Sequence, residues 1–339
     1  MTQIKSLLII GVISSTAISS LVSAVSLNFA GDAPAGIWWP NMQPPKWSNG
    51  SLVAVQYPRT TAPVIWLAGP QGTRTVPFSI PGAQVLNVFD WDQGLDGTIG
   101  ISGNATEADG RVSGFVAWIS ADATKSNVIR TSLYRPALVA VGADGTLWAA
   151  GTEFMSLNSR VLKPDSDVLR HFDPSGQMLS GFVPQSTIRN RISLLDVGGH
   201  WLRASRNLIA WYSPGEGRYV EVSALGRELL DIAVNRPGDD KSRTDGFGLT
   251  DKGDVFVSAT WFVPPAPSTP DGKGGAEYSG IYVLDRPAQT WRPLLQRTWL
   301  AGAAPNASLD EFSDVAGVDG NRLVVRSVRR RLQLYDIGE

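Results

Sequence analysis

Two histidines, His171 and His200, are the only ones in the 339-residue chain, and cysteine is absent. They fall in different parts of the chain, which excludes a histidine-rich metal site and means that a catalytic pair would need a carboxylate from elsewhere in the fold. His200 could serve as a general base near neutral pH, although a lone histidine is more often structural. Without cysteine, disulfides, thiolate nucleophiles, iron–sulfur clusters and cysteine-ligated zinc are excluded.

Alternate carboxylates at Asp90, Asp92 and Asp96 have the spacing of a calcium loop. The pattern fails because glycine stands at the fifth position, Gly94, and isoleucine at the twelfth, Ile101. The alternative is that Asp96 begins a turn and that Asp90 or Asp92 caps local amides. No Gly-x-Ser-x-Gly, Walker A or dinucleotide-binding fingerprint occurs in a strand–helix context. We therefore expect no cofactor and no bound metal.

The composition indicates a large folded core and a nearly neutral surface. The chain is 43% hydrophobic and 18% charged, with 35 glycines, 22 prolines and a net charge of −1. This hydrophobic content excludes a disordered chain. Nucleic acid is not an expected partner, because phosphate binding depends on clustered cations, and the balance of charges provides no such excess.

The first 24 residues have the pattern of an export signal. A short start with one cation, Lys5, precedes an apolar, serine-rich stretch that ends in Val22-Ser23-Ala24, small residues that suit signal peptidase. We predict a signal peptide over 1–24 and cleavage after Ala24, with Ser26 or Ala30 as alternative sites, which implies a periplasmic or extracellular protein. The alternative is an uncleaved membrane anchor, since about 20 apolar residues span a bilayer. No other segment is apolar enough to span, so no membrane span is expected after cleavage.

The rest of the chain, 25–339, is predicted to form a single all-β domain. Short runs of apolar residues are separated every ten residues or so by Gly, Pro, Asn-Gly or Asp-Gly, and they recur in units of four strands. The predicted strands are 51–56, 64–68 and 73–80; 85–92, 98–102, 113–120 and 128–133; 137–143, 146–150 and the hairpin 168–182; 201–204, 208–212, 219–223 and 228–234; 247–250, 255–262 and the hairpin 281–295; and 322–326 and 331–335.

Four-stranded units that repeat about every 50 residues are typical of propeller blades rather than of a sandwich. We predict a six-bladed β-propeller of antiparallel blades, with five or seven blades as alternatives. The last unit ends without a fourth strand, so its open edge needs a partner. An N-terminal strand, either 25–29 or the nearby 37–39, is predicted to close the ring by pairing with it.

The unit resembles that of six-bladed propellers of the TolB-like and NHL superfamily. The residues that carry the resemblance are Phe89-Asp90-Trp91-Asp92 with Asp96-Gly97-Thr98, the turn Ala143-Asp144-Gly145-Thr146, and the strand end Arg170-His171-Phe172-Asp173-Pro174. The mature chain is also similar to secreted bacterial propellers whose function is uncharacterised. These motifs specify the geometry of a blade and imply no particular activity.

One face of the predicted propeller carries the longer connections. The turns after first and third strands are short, whereas the segments after second and fourth strands are long, at 154–167, 184–198, 235–246, 263–279 and 297–311. Long structureless loops are often functional or flexible, and both interpretations stay open for the Pro- and Gly-rich 263–279. The candidate ligand-binding residues on this long-loop face are His200, Trp201 and Asp314 at the channel mouth, with Glu153 and Trp261 overlooking it.

The leading functional hypothesis is a monomeric, secreted binding or scaffold module that takes a protein, peptide or glycan on its long-loop face. It rests on the asymmetry of the loops and the scarcity of catalytic groups. The alternative is a metal-dependent enzyme of the lactonase or lyase type with its site in the central channel. The predicted first strands offer mainly Leu, Val, Ala and Gly for such a site. A structural envelope protein is the third hypothesis.

Overall fold

The structure is a computed structural model that describes residues 25–32, 45–69, 72–156, 159–189, 192, 199–264, 276–300, 312–327 and 331–338. The predicted signal peptide, 1–24, and the alternative closing segment, 37–39, lie outside these residues. The strands are β1 Ser26–Asp32, β2 Lys46–Ser48, β3 Ser51–Gln56, β4 Arg59–Thr60, β5 Val64–Gly69, β6 Gly72–Pro77, β7 Ala83–Gln93, β8 Ile99–Glu107, β9 Val112–Ile119, β10 Ser126–Ser132, β11 Tyr134–Val141, β12 Leu147–Glu153, β13 Asp167–Phe172, β14 Met178–Pro184, β15 Trp201–Ala204, β16 Leu208–Ser213, β17 Arg218–Ser223, β18 Glu228–Ala233, β19 Arg243–Leu249, β20 Val255–Val263, β21 Ala276–Asp285, β22 Thr290–Leu300, β23 Phe312–Asp319, β24 Arg322–Ser327 and β25 Leu332–Gly338. One 3₁₀ turn, Gln185–Thr187, follows β14.

Consecutive strands pair into antiparallel sheets. Strands β7–β10, with the two-residue β4 added at one edge, form the second sheet along the chain, and β11–β14, β15–β18 and β19–β22 form the four-stranded third, fourth and fifth sheets. Tight turns join first to second strands. At one of them Gly145 takes a φ of +78°, which only glycine adopts without strain, and Asp144 Oδ1 accepts hydrogen bonds from the backbone N–H and the hydroxyl of Thr146.

The remaining strands form an eight-stranded sheet in the order β1-β25-β24-β23-β2-β3-β5-β6. Its two halves meet at one parallel bridge between Trp47 and Gly317. The outer strand β1 pairs antiparallel with β25, from Ser26 opposite Gly338 to Asp32 opposite Gln333. The two ends of the described chain therefore lie in the same half-sheet.

The core lies between successive sheets. Trp148 of β12 and Trp211 of β16, both fully buried, belong to one apolar cluster that joins the third and fourth sheets along the chain. The two halves of the eight-stranded sheet begin at β2 and β23 and count here as separate sheets. The first strands then contact one another in the order β2, β7, β11, β15, β19 and β23, and β23 in turn contacts β2. Four-stranded antiparallel sheets that pack face to face around their first strands make a β-propeller.

Candidate functional site

The five residues predicted to bind a ligand lie near strand ends at the long-loop end of the sheets. Glu153 is the last residue of β12 and is paired with Tyr134, the first residue of β11. His200 directly precedes β15, which begins with Trp201. The last two are Trp261, close to the end of β20, and Asp314, close to the start of β23. They come from four sheets, and their described contacts are with different neighbours.

Glu153 is held by two cations. Its Oε1 accepts a hydrogen bond from Lys163 Nζ at 2.9 Å, and its Oε2 accepts one from Arg170. Partial burial raises the pKa of the Glu153 carboxyl, but the hydrogen bonds and charges of Arg170 and Lys163 outweigh it and leave the pKa below its usual range. The Arg170 guanidinium also lies 3.9 Å from the ring centre of Tyr134. Glu153 is therefore ionised and neutralised by its own blade.

His200 and Trp201 pack against aromatic and cationic groups of the fourth sheet. The His200 ring lies nearly parallel to the ring of Trp211, with the centroids 6.1 Å apart. The Arg203 guanidinium lies 6.0 Å from the ring centre of Trp201, which is only partly buried. The contact with buried Trp211 favours a packing role for His200.

Asp314 is a buried carboxylate that forms an ion pair with Arg326 of the adjacent strand. Burial raises its pKa to about 6, although the charge and hydrogen bond of Arg326 lower it, and the like charge of Asp245 on β19 raises it further. Asp245 in turn accepts a hydrogen bond from the Thr260 hydroxyl at 2.6 Å. Two carboxylates thus lie close together here, but across the described residues no group of three or more His, Cys, Asp or Glu side chains could hold a metal ion.

Trp261 belongs to an apolar surface that we call the aromatic surface, formed by Trp261, Val263 and Tyr278, which share one face of the β20–β21 pair. Phe262 points to the opposite face, because side chains alternate along a strand. The rings of Trp261 and Tyr278 stack at 5.2 Å with an interplanar angle of 9°. Val263 is open to solvent on this face, with the residue 42% exposed, and Phe262 is 55% exposed on the opposite face. The surface lies where β20 and β21 pair, close to the segment 265–275, which is outside the described residues.

The opposite end of the channel contains a polar cavity of about 130 Å³, which we call the channel pocket. Each of the six first strands contributes to its wall: Ser48, Asp92, Val141, Arg203, Leu249 and Val318. It opens among the short turns rather than on the long-loop face. It is therefore a second candidate site, one that the lengths of the loops did not indicate.

Beside the channel pocket, buried charges join neighbouring sheets. Asp92 Oδ1 accepts a hydrogen bond from Ser48 Oγ at 2.8 Å, and its Oδ2 accepts one from the Val141 N–H at 3.0 Å. Burial raises the pKa of Asp92, against the opposing charges of Arg203 and Lys46. Burial disfavours the charged form of Lys46 too and therefore lowers its pKa, although the ion pair with Asp90 opposes that shift.

The sequence interpretation of the two aspartates was wrong in one respect. Asp90 and Asp92 do not cap local amides, because the N–H groups that they accept belong to Val139 and Val141 on β11 of the next sheet. The sequence reasoning also passed over Lys46 and Arg203. A charge inside an apolar strand, as in Trp-Leu-Arg-Ala over Trp201–Ala204, was the available signal, since such charges are buried only with a partner or a purpose.

Comparison with known proteins gives only distant structural similarity. No family model matches the chain, and no curated protein does. Among solved structures, YjhT is 12% identical, with a TM-score of 0.44 and coverage of 86% of this chain and 92% of that one. The Dos1 propeller is 11% identical, with a TM-score of 0.42 and coverage of 86% and 77%. The WD40 domain of SCAP from fission yeast is 9% identical, with a TM-score of 0.39 and coverage of 93% and 74%.

A membrane-crossing helix was also sought. Within the residues that the structure describes, none is both long enough and apolar enough to cross a bilayer.

Proposed function

We propose that the protein is an exported, six-bladed β-propeller that binds a protein or peptide through the aromatic surface on its long-loop face. The observation that carries this proposal is the exposure of Val263 on the same face as the stacked Trp261–Tyr278 pair. Contiguous apolar side chains in water are costly, and on folded monomers they mark contact sites. Trp and Tyr are also among the residues that contribute most to binding energy at protein interfaces.

Six blades are proposed because six first strands contact one another in sequence and the last contacts the first. In this arrangement β1 supplies the outer strand of the last blade, next to β25, and so closes the ring. Export is proposed from the pattern of residues 1–24. Mass spectrometry of the secreted chain tests it, since cleavage after Ala24 leaves a protein that begins at Val25. A chain that retains Met1 in the membrane fraction would refute cleavage.

The state of the carboxylates supports binding over catalysis at this face. Glu153 is tied to Lys163 and Arg170, and Asp314 is tied to Arg326. A metal-dependent lactonase or lyase would need several free oxygen ligands that converge on one point. Over the described ranges, the side chains provide no such group of three.

The test is site-specific photo-crosslinking in the producing cells. A benzoylphenylalanine at position 263 is compared with one at position 225, where Leu225 is 93% exposed in the short turn between β17 and β18. We expect a discrete adduct with one protein at position 263, its loss on Trp261→Ala, and no such adduct at position 225.

Two outcomes would contradict the proposal. One is the same set of adducts at both positions, which indicates non-specific contact. The other is the absence of a protein adduct together with glycan binding that Trp261→Ala abolishes, which makes the ligand a glycan. Circular dichroism of each variant verifies that the fold is retained.

A further inference from the structure

We propose that the channel pocket binds a small zwitterion of the free α-amino acid type, with Arg203 holding its carboxylate and Asp92 its ammonium group. This site is at the opposite end of the channel from the aromatic surface and does not depend on the function proposed for that surface. The inference starts from the cavity itself, a polar space of about 130 Å³ whose wall includes both side chains.

Arg203 is the unusual member of the pocket wall. Its side chain is buried in the first strand of the fourth sheet, with the residue only 8% exposed. Its guanidinium donates a hydrogen bond from Nη1 to the Leu202 carbonyl oxygen at 3.0 Å and lies 6.0 Å from the ring centre of Trp201. A guanidinium has five N–H donors. Among the ion pairs of the described residues none includes Arg203, so its charge lacks a contacting carboxylate, which is costly for a buried cation.

Asp92 provides the opposite charge in the same pocket. Among the charged groups, Arg203 lowers the pKa of Asp92 the most, so the two side chains lie within electrostatic range of each other. They form no direct ion pair, and Asp92 instead accepts hydrogen bonds from Ser48 and Val141. A carboxylate oxygen can accept more than one hydrogen bond. Each charge therefore retains capacity for a ligand that fits between them.

The remaining charges of the wall select the class of ligand. Asp251 and Asp319 also line the pocket, and Arg206 forms an ion pair with Asp251, so Asp92 and Asp319 are the wall carboxylates that remain to balance the guanidinium of Arg203. A simple anion would gain Arg203 but would meet the negative field of the aspartates, and a simple cation would leave Arg203 unpaired. A molecule that carries both a carboxylate and an ammonium group can pair with Arg203 and with the aspartates at the same time. The volume limits it to a small molecule, since typical ligand pockets are about 300–1,000 Å³.

Isothermal titration of the mature chain near pH 7 tests this directly, with glycine and L-alanine as ligands and acetate and methylammonium as single-charge analogues. We expect the amino acids to bind at least about tenfold more tightly than either analogue, because each loses one charge-assisted contact. Arg203→Gln is expected to weaken amino-acid binding by at least about tenfold. Arg227→Gln, which changes an exposed arginine of the same sheet away from the pocket, should leave the affinity unchanged.

A steric variant provides an independent test in case Arg203→Gln fails to fold. Ala143 lines the pocket from a turn, so Ala143→Phe reduces the cavity while leaving every charge in place. It should abolish binding. The proposal is overturned if neither amino acid binds the wild-type chain, if acetate binds as tightly as glycine, or if Ala143→Phe binds as the wild type does.

Discussion

Asp90 of β7 accepts a hydrogen bond from the backbone N–H of Val139 of β11 at 3.0 Å, so a side chain of one blade completes the main-chain hydrogen bonding of the next. Asp92 repeats the arrangement two residues later with Val141 at 3.0 Å. The first strands β7 and β11 do not pair with each other, so the inner N–H groups of β11 need other acceptors. Here the two carboxylates provide them.

Replacement of Asp90 should therefore destabilise the whole domain. Asp90→Ala leaves the Val139 N–H and the buried ammonium of Lys46 without their acceptor, which should lower the free energy of unfolding by about 3 kcal/mol. Urea denaturation measures the change. Asp109→Ala is the matched control, because Asp109 forms only an exposed pair with Arg111. An equal shift of the two midpoints would refute the role assigned to Asp90.

The bridge between the first and last blades predicts a second effect. A Cβ on Gly317 would lie 2.1 Å from the Trp47 carbonyl oxygen, closer than real Cβ atoms approach. Gly317→Ala must push β2 away from β23 and should cost about 3 kcal/mol in the free energy of unfolding. In the control, Gly215→Ala, the added Cβ meets nothing within 4 Å. Thermal melts of the two variants should differ clearly, and equal melting temperatures would contradict the close approach.

Asp314 gives a prediction about pH. Its pKa of about 6 in the folded protein lies above the value of an ordinary aspartate, so the folded state binds the proton more tightly than the unfolded state does. Its contribution to stability is therefore greatest at low pH and falls as the pH rises through about 4 to 6, by up to about 3 kcal/mol. Asp314→Asn removes this dependence.

Urea unfolding of the wild type and Asp314→Asn at several pH values isolates that effect. The stability of the variant relative to the wild type should increase between pH 4 and 7. A constant difference over that range would show that Asp314 is ionised throughout, with Arg326 outweighing its burial.

The change of stability with pH that we expect from His171 has the opposite sign. Its ring stacks on Trp148 with centroids 4.0 Å apart, and burial lowers its pKa, against the weaker effects of Asp144 and Asp173. The unfolded chain then binds the proton more readily, so stability falls as the pH drops below about 6.5. His171→Phe retains an aromatic stack without a titrating group. Its stability should fall less on acidification, as followed by tryptophan fluorescence, and identical profiles would refute the prediction.

The sequence predicts most of the strands because turn residues and apolar runs are local features. In the fourth sheet the predicted 201–204, 208–212, 219–223 and 228–234 differ from the observed strands by one residue at a few ends. Trp148 and Trp211, which lie in predicted strands, are both fully buried. Turn glycines such as Gly226, between β17 and β18, have positive φ angles. A glycine in a turn is a local feature of the sequence, so it can be recognised without knowledge of tertiary contacts.

Other features depend on contacts that no local pattern contains. Strands β2 and β4 have three and two residues, and the sequence analysis did not predict them, because so few residues carry no periodicity and pairing alone defines them. The partners of Asp90 and Asp92 lie 49 residues further along the chain. The channel pocket likewise exists only where six strands converge, so its lining could not be predicted from single strands.

The pairing of Ser26–Asp32 with β25 makes one half-sheet depend on both ends of the described chain. A chain is synthesised from its N-terminus, so β1 is the first of these strands to emerge and the last to find its partner. Until β25 arrives, β1 has no edge to join, and a chain cut short leaves unpaired strand edges of the kind that aggregate or attract proteases. Only a chain that extends through β25 can therefore complete this half-sheet.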